Sequence, residues 1–433
     1  MDFALPKELT AYLAELDKFI EEKIKPIERE GDNIKYLDHR REYERTDWEK
    51  GGIPKQEWED LLDRVKELAD EAGHYKFNWP KELGGKNGSQ LWMAVIREHL
   101  AAKGLGLHND LQNEHSIVAN NPFVIPFKEF ATKEQYERDA PKLMNGEMKT
   151  AFGLTEPKHG SDATHMETRA VRHKKDGADG WLINGEKMWT SGLHRDTHIQ
   201  CFARTSGKDG DALGITCFIV PVDAPGVKVE EWMWTFNMPT DHPRVSFTNV
   251  WLPEETAYWG KIDHGLNFGQ SFVHQNRIRQ AASSLGAAVY CIEESVKYAR
   301  ERQVFGEDLA RNQAIQWPLV ELATQAEMLR LLIRKTAWQM DQMTQAEVSR
   351  EISDKVSMCN YWGNRLCCEA ADRAMQVHGG IGYSRHKPFE HIYRHHRRYR
   401  ITEGSEEIQM RKVAGFLFGY MGPRRALYEK KKA

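Results

Sequence analysis

The segment of residues 151–163 combines residue types that can bind a polar ligand. It reads Ala-Phe-Gly-Leu-Thr-Glu-Pro-Lys-His-Gly-Ser-Asp-Ala, a short strand pattern followed by a loop rich in glycine and hydroxyl groups. Backbone N–H groups and hydroxyls in such a loop can meet an anion or the edge of a planar polar ring. Taken alone, these residue types favour an ordinary turn.

The segment of residues 394–400 is basic and also carries His395, His396 and Tyr399. It could attract phosphates or nucleic acid, but the chain has no basic surplus elsewhere, so we expect a solvated or subunit-contact segment. His391 and His395 have the i, i+4 spacing of a metal pair. Because no third ligand or His-Glu-x-x-His order accompanies them, we predict no metal site.

Common nucleotide and redox motifs are missing from the sequence. The pairs Gly104/Gly106 and Gly380/Gly382 lack the third glycine and the preceding strand of a Gly-x-Gly-x-x-Gly loop, and no Walker sequence occurs. A dinucleotide must therefore be held in another way. The six cysteines form no Cys-x-x-Cys pair, which predicts small core residues in a reducing compartment.

Length and composition indicate a globular protein of two or three domain-sized units. The chain has 433 residues, 40% of them hydrophobic, and a net charge of −3, which disfavours a protein that coats nucleic acid or membranes. No apolar stretch approaches the ~20 residues of a membrane span. The N-terminal sequence resembles neither a secretory leader nor a transit peptide. We expect a cytoplasmic protein, or a mitochondrial-matrix protein if the source is eukaryotic.

The hydrophobic period changes twice along the chain. Helical periods at residues 9–24, 58–72, 91–102 and 133–144 predict an all-helical beginning, with residues 29–52 as a charged surface excursion. Strand patterns follow at residues 181–189, 199–203, 214–222 and 244–252, and Asn184-Gly185 predicts a hairpin turn inside the first of them. Helical patterns return at residues 277–302, 314–343, 349–377 and 406–419. We therefore predict an N-terminal helical domain (1–148), a central antiparallel β domain (149–262) and a C-terminal helical bundle (263–433).

Six motifs in this order resemble the acyl-CoA dehydrogenase superfamily over essentially the whole chain. They are Thr-Glu-Pro-x-x-Gly-Ser-Asp at 155–162, Ile-Asn-Gly-Glu-Lys-Met-Trp-Thr-Ser-Gly at 183–192, Phe-Ile-Val-Pro at 218–221, Glu-Arg-x-x-Phe-Gly at 301–306, Gln-Val-His-Gly-Gly-Ile-Gly-Tyr at 376–383 and Thr-Glu-Gly-Ser at 402–405. The long excursion at 29–52 is similar to that of a subgroup related to long-chain and multidomain members. The resemblance implies the fold of that superfamily.

The resemblance implies that FAD binds between the β domain and the C-terminal helices. Phe152, Leu154 and Thr155 would border the isoalloxazine, while Trp189 and Ser191 would flank its other side with a hydroxyl near N5. The further cofactor-binding residues that the resemblance implies are Gly160, Ser161, Arg302, Phe305, Gln313, Gln376, Gly379, Gly380, Ser405 and Glu407.

Arg302 and Phe305 would reach the adenosine end of an FAD held by a neighbouring subunit, which implies a homodimer or homotetramer. A guanidinium suits a pyrophosphate, and the Gly379-Gly380 pair at a helix end allows close backbone approach. The alternative for Arg302 is an ordinary surface ion pair with Glu301 or Glu307.

Glu403 stands where the superfamily places the base that removes the α-proton of an acyl-CoA thioester. The chemistry needs a group that is anionic yet weak enough to release the proton later, which a carboxylate satisfies. A second base position, used by some members, holds Asn276, and an amide cannot act as a base. The alternative is that Glu403 caps the helix that follows.

The resemblance also implies residues on the substrate side, which are Ser161, Arg277, Thr402 and Gly404. Arg277 would order the CoA or the wall of the active site, or form a buried ion pair. Thr402 replaces a common tyrosine, Val304 replaces a frequent hydroxyl residue, and Glu407 replaces an amide that often meets adenine. These departures weaken the transfer of the adenine contacts. Whether the acyl group is linear, branched, cyclic or aromatic stays open.

The resemblance implies an FAD-dependent dehydrogenase that passes electrons from an acyl-CoA substrate to an electron-transfer flavoprotein. Two alternatives keep the fold: a flavoenzyme of the nitroalkane oxidase or monooxygenase type, and a DNA-associated flavoprotein. Glu403 favours the first reading, because the oxidases use aspartate at that position and the oxygenases generally lack the glutamate. The charge balance disfavours nucleic acid.

Overall fold

The computed structural model describes residues 4–112, 115–119 and 123–425. Helices come first along the chain, then strands, then helices again, which confirms the predicted fold class.

Amphipathic helices build the first part. In α4, for example, Trp58, Leu61, Leu62 and Val65 recur on one face and are buried, and the chain leaves the helix at Gly73 with φ +75°. The elements are α1 Lys7–Phe19, α2 Lys25–Arg29, α3 Ile34–Leu37, β1 Thr46–Asp47, β2 Ile53–Pro54, α4 Gln56–Glu71, α5 Gln90–Ala102, α6 Val124–Phe130 and α7 Lys133–Met144.

The charged stretch at 29–52 lies mostly at the surface, as expected, but part of it is buried in the fold. Tyr36, Arg45 and Thr46 are buried, and the Arg45 guanidinium donates to the carbonyl of Leu111 at 3.0 Å. Its Cζ also lies 5.7 Å from the centroid of the Trp58 ring. Arginine can bury its stem when its head finds acceptors, which a hydropathy pattern does not register.

One eight-stranded sheet forms the middle part, in the order β10-β7-β6-β4-β5-β9-β8, with β3 beside β6. Most pairs are antiparallel, but β3 and β4 both run parallel to β6. β6 and β7 are buried along nearly their whole length, which explains their continuous apolar sequences. The strands are β3 Thr150–Gly153, β4 Arg169–Lys175, β5 Ala178–Met188, β6 His198–Arg204, β7 Ile215–Pro221, β8 Val227–Trp232, β9 Pro243–Pro253 and β10 Tyr258–Trp259.

The hairpin predicted at Asn184-Gly185 is wrong, because β5 runs through both residues. The turn lies at Asp176-Gly177, where φ is +52° and +85°. Gly185 sits at a bulge against β9, where a Cβ would come within 2.5 Å of the Thr168 hydroxyl. The glycine is therefore required for close packing and not for a turn. The Asn184 amide oxygen accepts a hydrogen bond from the N–H of Asn249 at 2.8 Å.

The last part is a helical bundle centred on α8 and α11. α8 begins at Gly265, twelve residues earlier than the periodicity predicted, because polar residues such as Gln275 and Asn276 are buried on it. The elements are α8 Gly265–Glu301, β11 Gln303–Val304, β12 Glu307–Asp308, α9 Gln313–Met340, α10 Gln345–Glu347, α11 Ser353–His378, α12 Gly380–Tyr383, α13 Phe389–Tyr399 and α14 Glu406–Leu417. The short β11–β12 hairpin was not predicted.

Residues 394–399 of the basic segment belong to α13, and one face of it is buried within the chain, so the segment is not simply solvated as the first alternative had it. His395, His396 and Tyr399 are buried, as is His391 one turn earlier. The sequence does contain a stripe of buried residues at helical spacing, but half of this stripe is polar. It consists of Phe389, Ile392, His396 and Tyr399. The arginine side chains lie at the boundary between this buried face and solvent.

All six cysteines are unpaired and buried, as predicted. Burial raises the pKa of the Cys201 thiol to about 12, which suits an inert core residue. Within the described ranges, no helix is both long and apolar enough to cross a membrane.

Candidate active site

Glu403 lies in the turn between α13 and α14, with φ +56°, followed by Gly404 with φ +87°. Its carboxylate Oε1 accepts from the Asn276 amide at 2.8 Å. The N-cap of α14 is Ser405, so the carboxylate faces α8 rather than capping the next helix. A left-handed glutamate costs of order 1–3 kcal/mol, and surrounding contacts must hold it there.

The Arg277 guanidinium holds this turn through the backbone carbonyl of Glu403. Its Nε and Nη2 donate to the carbonyl of Glu403 at 2.9 Å and 2.6 Å, so neither predicted alternative describes the contact fully. Burial lowers the pKa of Arg277 to about 10, against the opposing effect of the Glu403 charge. A Cβ on residue 404 would lie 2.9 Å from Nη2, which explains the glycine.

Two buried side-chain amides also hold this turn in place. The sequence alone did not identify them. Gln409 donates to the carbonyl of Gly404 at 2.7 Å and to the Asn360 amide oxygen at 2.8 Å. Asn360 in turn donates to the carbonyl of Arg277 at 3.0 Å. Buried amides on otherwise apolar helix faces are the signal that could have identified them, because buried polar groups need partners.

The loop after β3 is held against β5 by a buried ion pair. Lys187 Nζ lies 2.8 Å from Glu156 Oε1 and also donates to the carbonyl of Leu154 at 3.2 Å. Burial alone would raise the pKa of Glu156, but the Lys187 ammonium outweighs it and lowers the pKa. The N–H of Met188 donates to the carbonyl of Thr155 at 2.9 Å. Thr155 and Trp189 are thereby fixed side by side.

Trp189 and Ser191 follow directly on β5. Trp189 has φ +64° and keeps 42% of its surface exposed, an unusual state for tryptophan. The Ser191 hydroxyl lies 2.6 Å from Nδ1 of His242, a partner that the sequence did not indicate. Burial lowers the pKa of His242.

The loop after β3 and the turn at Glu403 are both connected to α8. Phe152 of β3 lies 5.0 Å from Phe272 of α8, measured between ring centroids. Phe272 precedes Asn276 by four residues, so both lie on the same face of α8. Phe152 on the sheet side therefore contacts the same helix whose Asn276 binds the Glu403 carboxylate.

A second group of predicted residues lies at the other end of α8, where the stacked rings of Tyr298 and His378 lie 4.3 Å apart and join α8 to α11. Asn276 and Glu301 are 25 residues apart on α8, roughly 37 Å at helical rise. The residues around this junction are Arg302, Phe305, Gln313, Gln376, Gly379 and Gly380.

This second group is exposed and shaped for close approach. Phe305, at the tip of the β11–β12 hairpin, is fully exposed with φ +50°. A Cβ on Gly379 or Gly380 would meet no atom within 4 Å. Arg302 forms no ion pair with Glu301 or Glu307 in the described structure; Glu307 pairs with Arg311 instead.

The remaining predicted residues lie on the surface around the two groups. Gly160, Ser161, Thr402 and Glu407 are exposed, and Ser405 is half-buried at the start of α14. Glu406, not Glu407, is the carboxylate tied into the fold, with Arg365 at 3.1 Å and Arg400 at 2.9 Å. Among the described side chains no three His, Cys, Asp or Glu groups could hold a metal ion.

These residues fit a flavin dinucleotide. An exposed indole beside a backbone loop and a hydroxyl suits an isoalloxazine, which is planar and has polar edges. The adenosine diphosphate end of such a dinucleotide would fit against the open glycine pair, the exposed ring of Phe305 and the Arg302 guanidinium.

Comparison with known proteins agrees with this chemistry. The middle-domain model of acyl-CoA dehydrogenases matches residues 151–250, and the C-terminal-domain model matches residues 263–418. An acyl-CoA dehydrogenase of Bacillus subtilis is 31% identical over 344 residues, 78% of this chain and 86% of that protein. The CarC subunit of the caffeyl-CoA reductase–Etf complex of Acetobacterium woodii is 29% identical over 362 residues, 83% of this chain and 89% of CarC.

A solved structure extends the match over the whole fold. Butyryl-CoA dehydrogenase of Megasphaera elsdenii superimposes with a TM-score of 0.76 at 25% identity, covering 96% of this chain and all of that one. The site geometry, the two domain models and these relatives lead to one assignment. The chain belongs to the acyl-CoA dehydrogenase family of FAD-dependent oxidoreductases.

Proposed function

We propose that the protein desaturates an acyl-CoA thioester between its α and β carbons, with Glu403 removing the α-proton. FAD, when bound, supplies the acceptor for the β-hydrogen, which leaves as hydride. The observation that supports the proposal most is the Asn276–Glu403 hydrogen bond of 2.8 Å, which holds the carboxylate against α8, the helix whose Phe272 contacts Phe152 of β3.

Positioning by the chain would supply much of the catalysis. Arg277, Gln409 and the left-handed backbone at 403–404 fix the turn, so that little reorganisation is needed when the α-proton leaves. Ser191, oriented by His242, would present its hydroxyl to the ring edge. Thr402 and Ser161 would border the thioester and the CoA.

Electron transfer to a partner flavoprotein is part of the proposal, since the relative CarC is named as a subunit of an Etf complex. That relative is a reductase, so the opposite direction is the second candidate. By microscopic reversibility Glu403 would then donate a proton to the α carbon of a 2-enoyl-CoA. The two directions use the same residues and differ in the potential of the partner.

We further propose that the protein works as a homo-oligomer in which Arg302 and Phe305 meet the FAD of a neighbouring subunit. The ~37 Å between the two residue groups supports this arrangement. An exposed apolar stripe on α9 supports a second contact between copies, because large exposed apolar surfaces mark interaction sites. It consists of Trp317, Val320, Met328, Leu331 and Trp338.

Anaerobic titration of the purified flavoprotein with a panel of acyl-CoA thioesters tests the reaction class. We expect bleaching of the flavin band and formation of the trans-2-enoyl-CoA. Stable oxidised flavin with every thioester, or bleaching by a nitroalkane instead, would contradict the proposal.

A further inference from the structure

Ser191 and His242 lie opposite each other between two backbone segments that run side by side. The segments are residues 190–192 and 241–243. The two outer N–H groups of the first donate to the two outer carbonyls of the second, at 3.4 Å and 3.0 Å. These hydrogen bonds bracket the contact of 2.6 Å between the Ser191 hydroxyl and Nδ1 of His242. The register of the backbone therefore brings the two side chains together.

The backbone of His242 is also held on its other side. Its carbonyl accepts from the N–H of Met233 at 2.9 Å, and its N–H donates to the Thr240 hydroxyl at 3.3 Å. The N–H of Thr240 donates in turn to the carbonyl of Gly52, in the N-terminal part of the chain, at 2.8 Å. These contacts fix the position of His242, and Ser191 lies exposed beside it.

The Asp241 carboxylate determines which nitrogen of His242 carries the proton. Its Oδ1 lies 3.3 Å from Nδ1, the same atom that contacts the Ser191 hydroxyl. A carboxylate can only accept, so it repels a lone pair on Nδ1 and attracts an Nδ1–H group. Burial lowers the pKa of His242, against the opposing effect of the Asp241 charge, so the ring is neutral near neutral pH. Its single N–H is therefore the one at Nδ1.

The direction of the Ser191–His242 hydrogen bond follows from this tautomer. Nδ1–H donates to Oγ of Ser191, so the hydroxyl hydrogen of Ser191 is left for another acceptor, since a serine has only one hydrogen to donate. The Trp189 ring, part of the proposed flavin site, stands edge-on to the His242 ring with 6.1 Å between the ring centroids. The remaining hydrogen of Ser191 is thus presented in the neighbourhood of that site.

We propose that His242 is a positioning residue for the dehydrogenation, because its donation to Ser191 makes the Ser191 hydroxyl a donor to the polar edge of the bound FAD ring. Asp241 fixes the donating tautomer of His242. A preorganised donor at this edge would hold the ring in place and stabilise the negative charge that arrives with the hydride. The inference rests on the proposed function and gives a role to two residues that the sequence did not indicate.

A double-mutant cycle on the FAD-loaded protein tests whether His242 acts through Ser191. Ser191→Ala and His242→Leu should each weaken FAD binding by roughly 3- to 10-fold, the effect of one neutral hydrogen bond. If both changes remove the same donor, the double variant should bind FAD no more weakly than the weaker of the two single variants. The FAD dissociation constant is measured from the recovery of flavin fluorescence on dilution. Effects that multiply in the double variant would overturn the inference.

Two further variants test the donor and its tautomer. His242→Asn places an amide nitrogen near the position of Nδ1 and should recover most of the FAD affinity, which a merely space-filling role would not explain. Asp241→Asn should weaken FAD binding in the wild-type background but not in Ser191→Ala. No recovery in His242→Asn, or a further loss when Asp241→Asn is combined with Ser191→Ala, would contradict the inference. If His242→Leu does not fold, Asp241→Asn takes its place in the cycle.

The control and the second readout separate this inference from the proposed function. His173→Leu, a change at an exposed histidine on β4, should leave FAD affinity unchanged. FAD affinity reports on the Ser191–His242 pair even if no acyl-CoA bleaches the flavin, a result that would count against the proposed function alone. Bleaching by an acyl-CoA together with multiplying effects in the cycle would count against the inference alone.

Discussion

At the scale of single residues, the turn at Glu403 is held mainly through its backbone carbonyls. Arg277 clamps the carbonyl of Glu403, and Gln409 clamps the carbonyl of Gly404. The carboxylate itself has Asn276 as its α8 partner. Glu403 was predictable from a motif, but its supports were not, because buried amides and guanidinium groups carry no local periodicity.

Arg277→Lys tests the clamp. One ammonium cannot reproduce the two parallel donations of a guanidinium, so the turn at 403–404 should lose its fixed position. We expect kcat to fall by roughly 10- to 100-fold while bound FAD and KM change little. Steady-state kinetics with the best acyl-CoA measure this; a selective rise in KM would instead indicate a role in substrate binding.

The Glu406 carboxylate provides a pH-dependent contribution to stability. Hydrogen bonds from Arg400 outweigh burial and, with those from Arg365, lower its pKa to about 2, against 4.5 without these contacts. Because the folded-state pKa is lowered, the charged carboxylate stabilises the fold above pH ~4.5. This contribution to stability is lost as the pH falls toward 2 and the carboxylate becomes protonated. Glu406→Gln should therefore cost about 2 kcal/mol of unfolding free energy at pH 7, and the difference should shrink below pH ~4. Urea denaturation across pH measures it; a pH-independent difference would contradict the assignment.

At the scale of elements, the sequence predicted most helices and strands, and its errors have physical causes. The start of α8 was missed because its buried face is polar, and α13 was missed because histidines occupy half of its buried stripe. Asn184-Gly185 was assigned to a turn, whereas the glycine avoids a clash with Thr168 and the strand continues. Rules based on local sequence patterns assume that cores are apolar and that glycines mark turns. Both assumptions fail next to this site.

Gly185→Ala tests the packing explanation. The new Cβ would lie 2.6 Å from the Cα of Thr168, which cannot move without displacing a strand. We expect a loss of about 3 kcal/mol in stability. Gly160→Ala is the matched control for stability, because its Cβ would meet only Thr155 at 3.8 Å. Equal thermal midpoints for the two variants would show that close packing is not the reason for Gly185.

At the scale of the whole molecule, two sets of predicted binding residues lie toward opposite ends of α8. Sequence motifs suggested both sets, and the structure shows that Asn276 and Glu301, near the two sets, are roughly 37 Å apart along this helix. Their separation is explained if each FAD is shared between subunits. The exposed Phe305 and the apolar stripe on α9 are then surfaces that assembly would cover.

Arg302→Ala tests the shared site. We expect FAD content per chain to fall and the oligomer to dissociate more readily, because one contact would serve both. Arg311→Ala, a change at an exposed ion pair near the same hairpin, should alter neither. Flavin absorbance and light scattering measure the two quantities. Full FAD occupancy in an intact Arg302→Ala oligomer would contradict the arrangement.

We propose that the Glu403 carboxylate removes the α-proton of the substrate. The most direct test of this proposal is anaerobic reduction of Glu403→Gln by the best acyl-CoA, beside Glu293→Gln, a change on the exposed face of α8. If Glu403 is the base, Glu403→Gln should keep its yellow flavin and bind the thioester but bleach at least ~1,000-fold more slowly, while Glu293→Gln should match the wild type. Bleaching of Glu403→Gln at the wild-type rate would contradict the proposal.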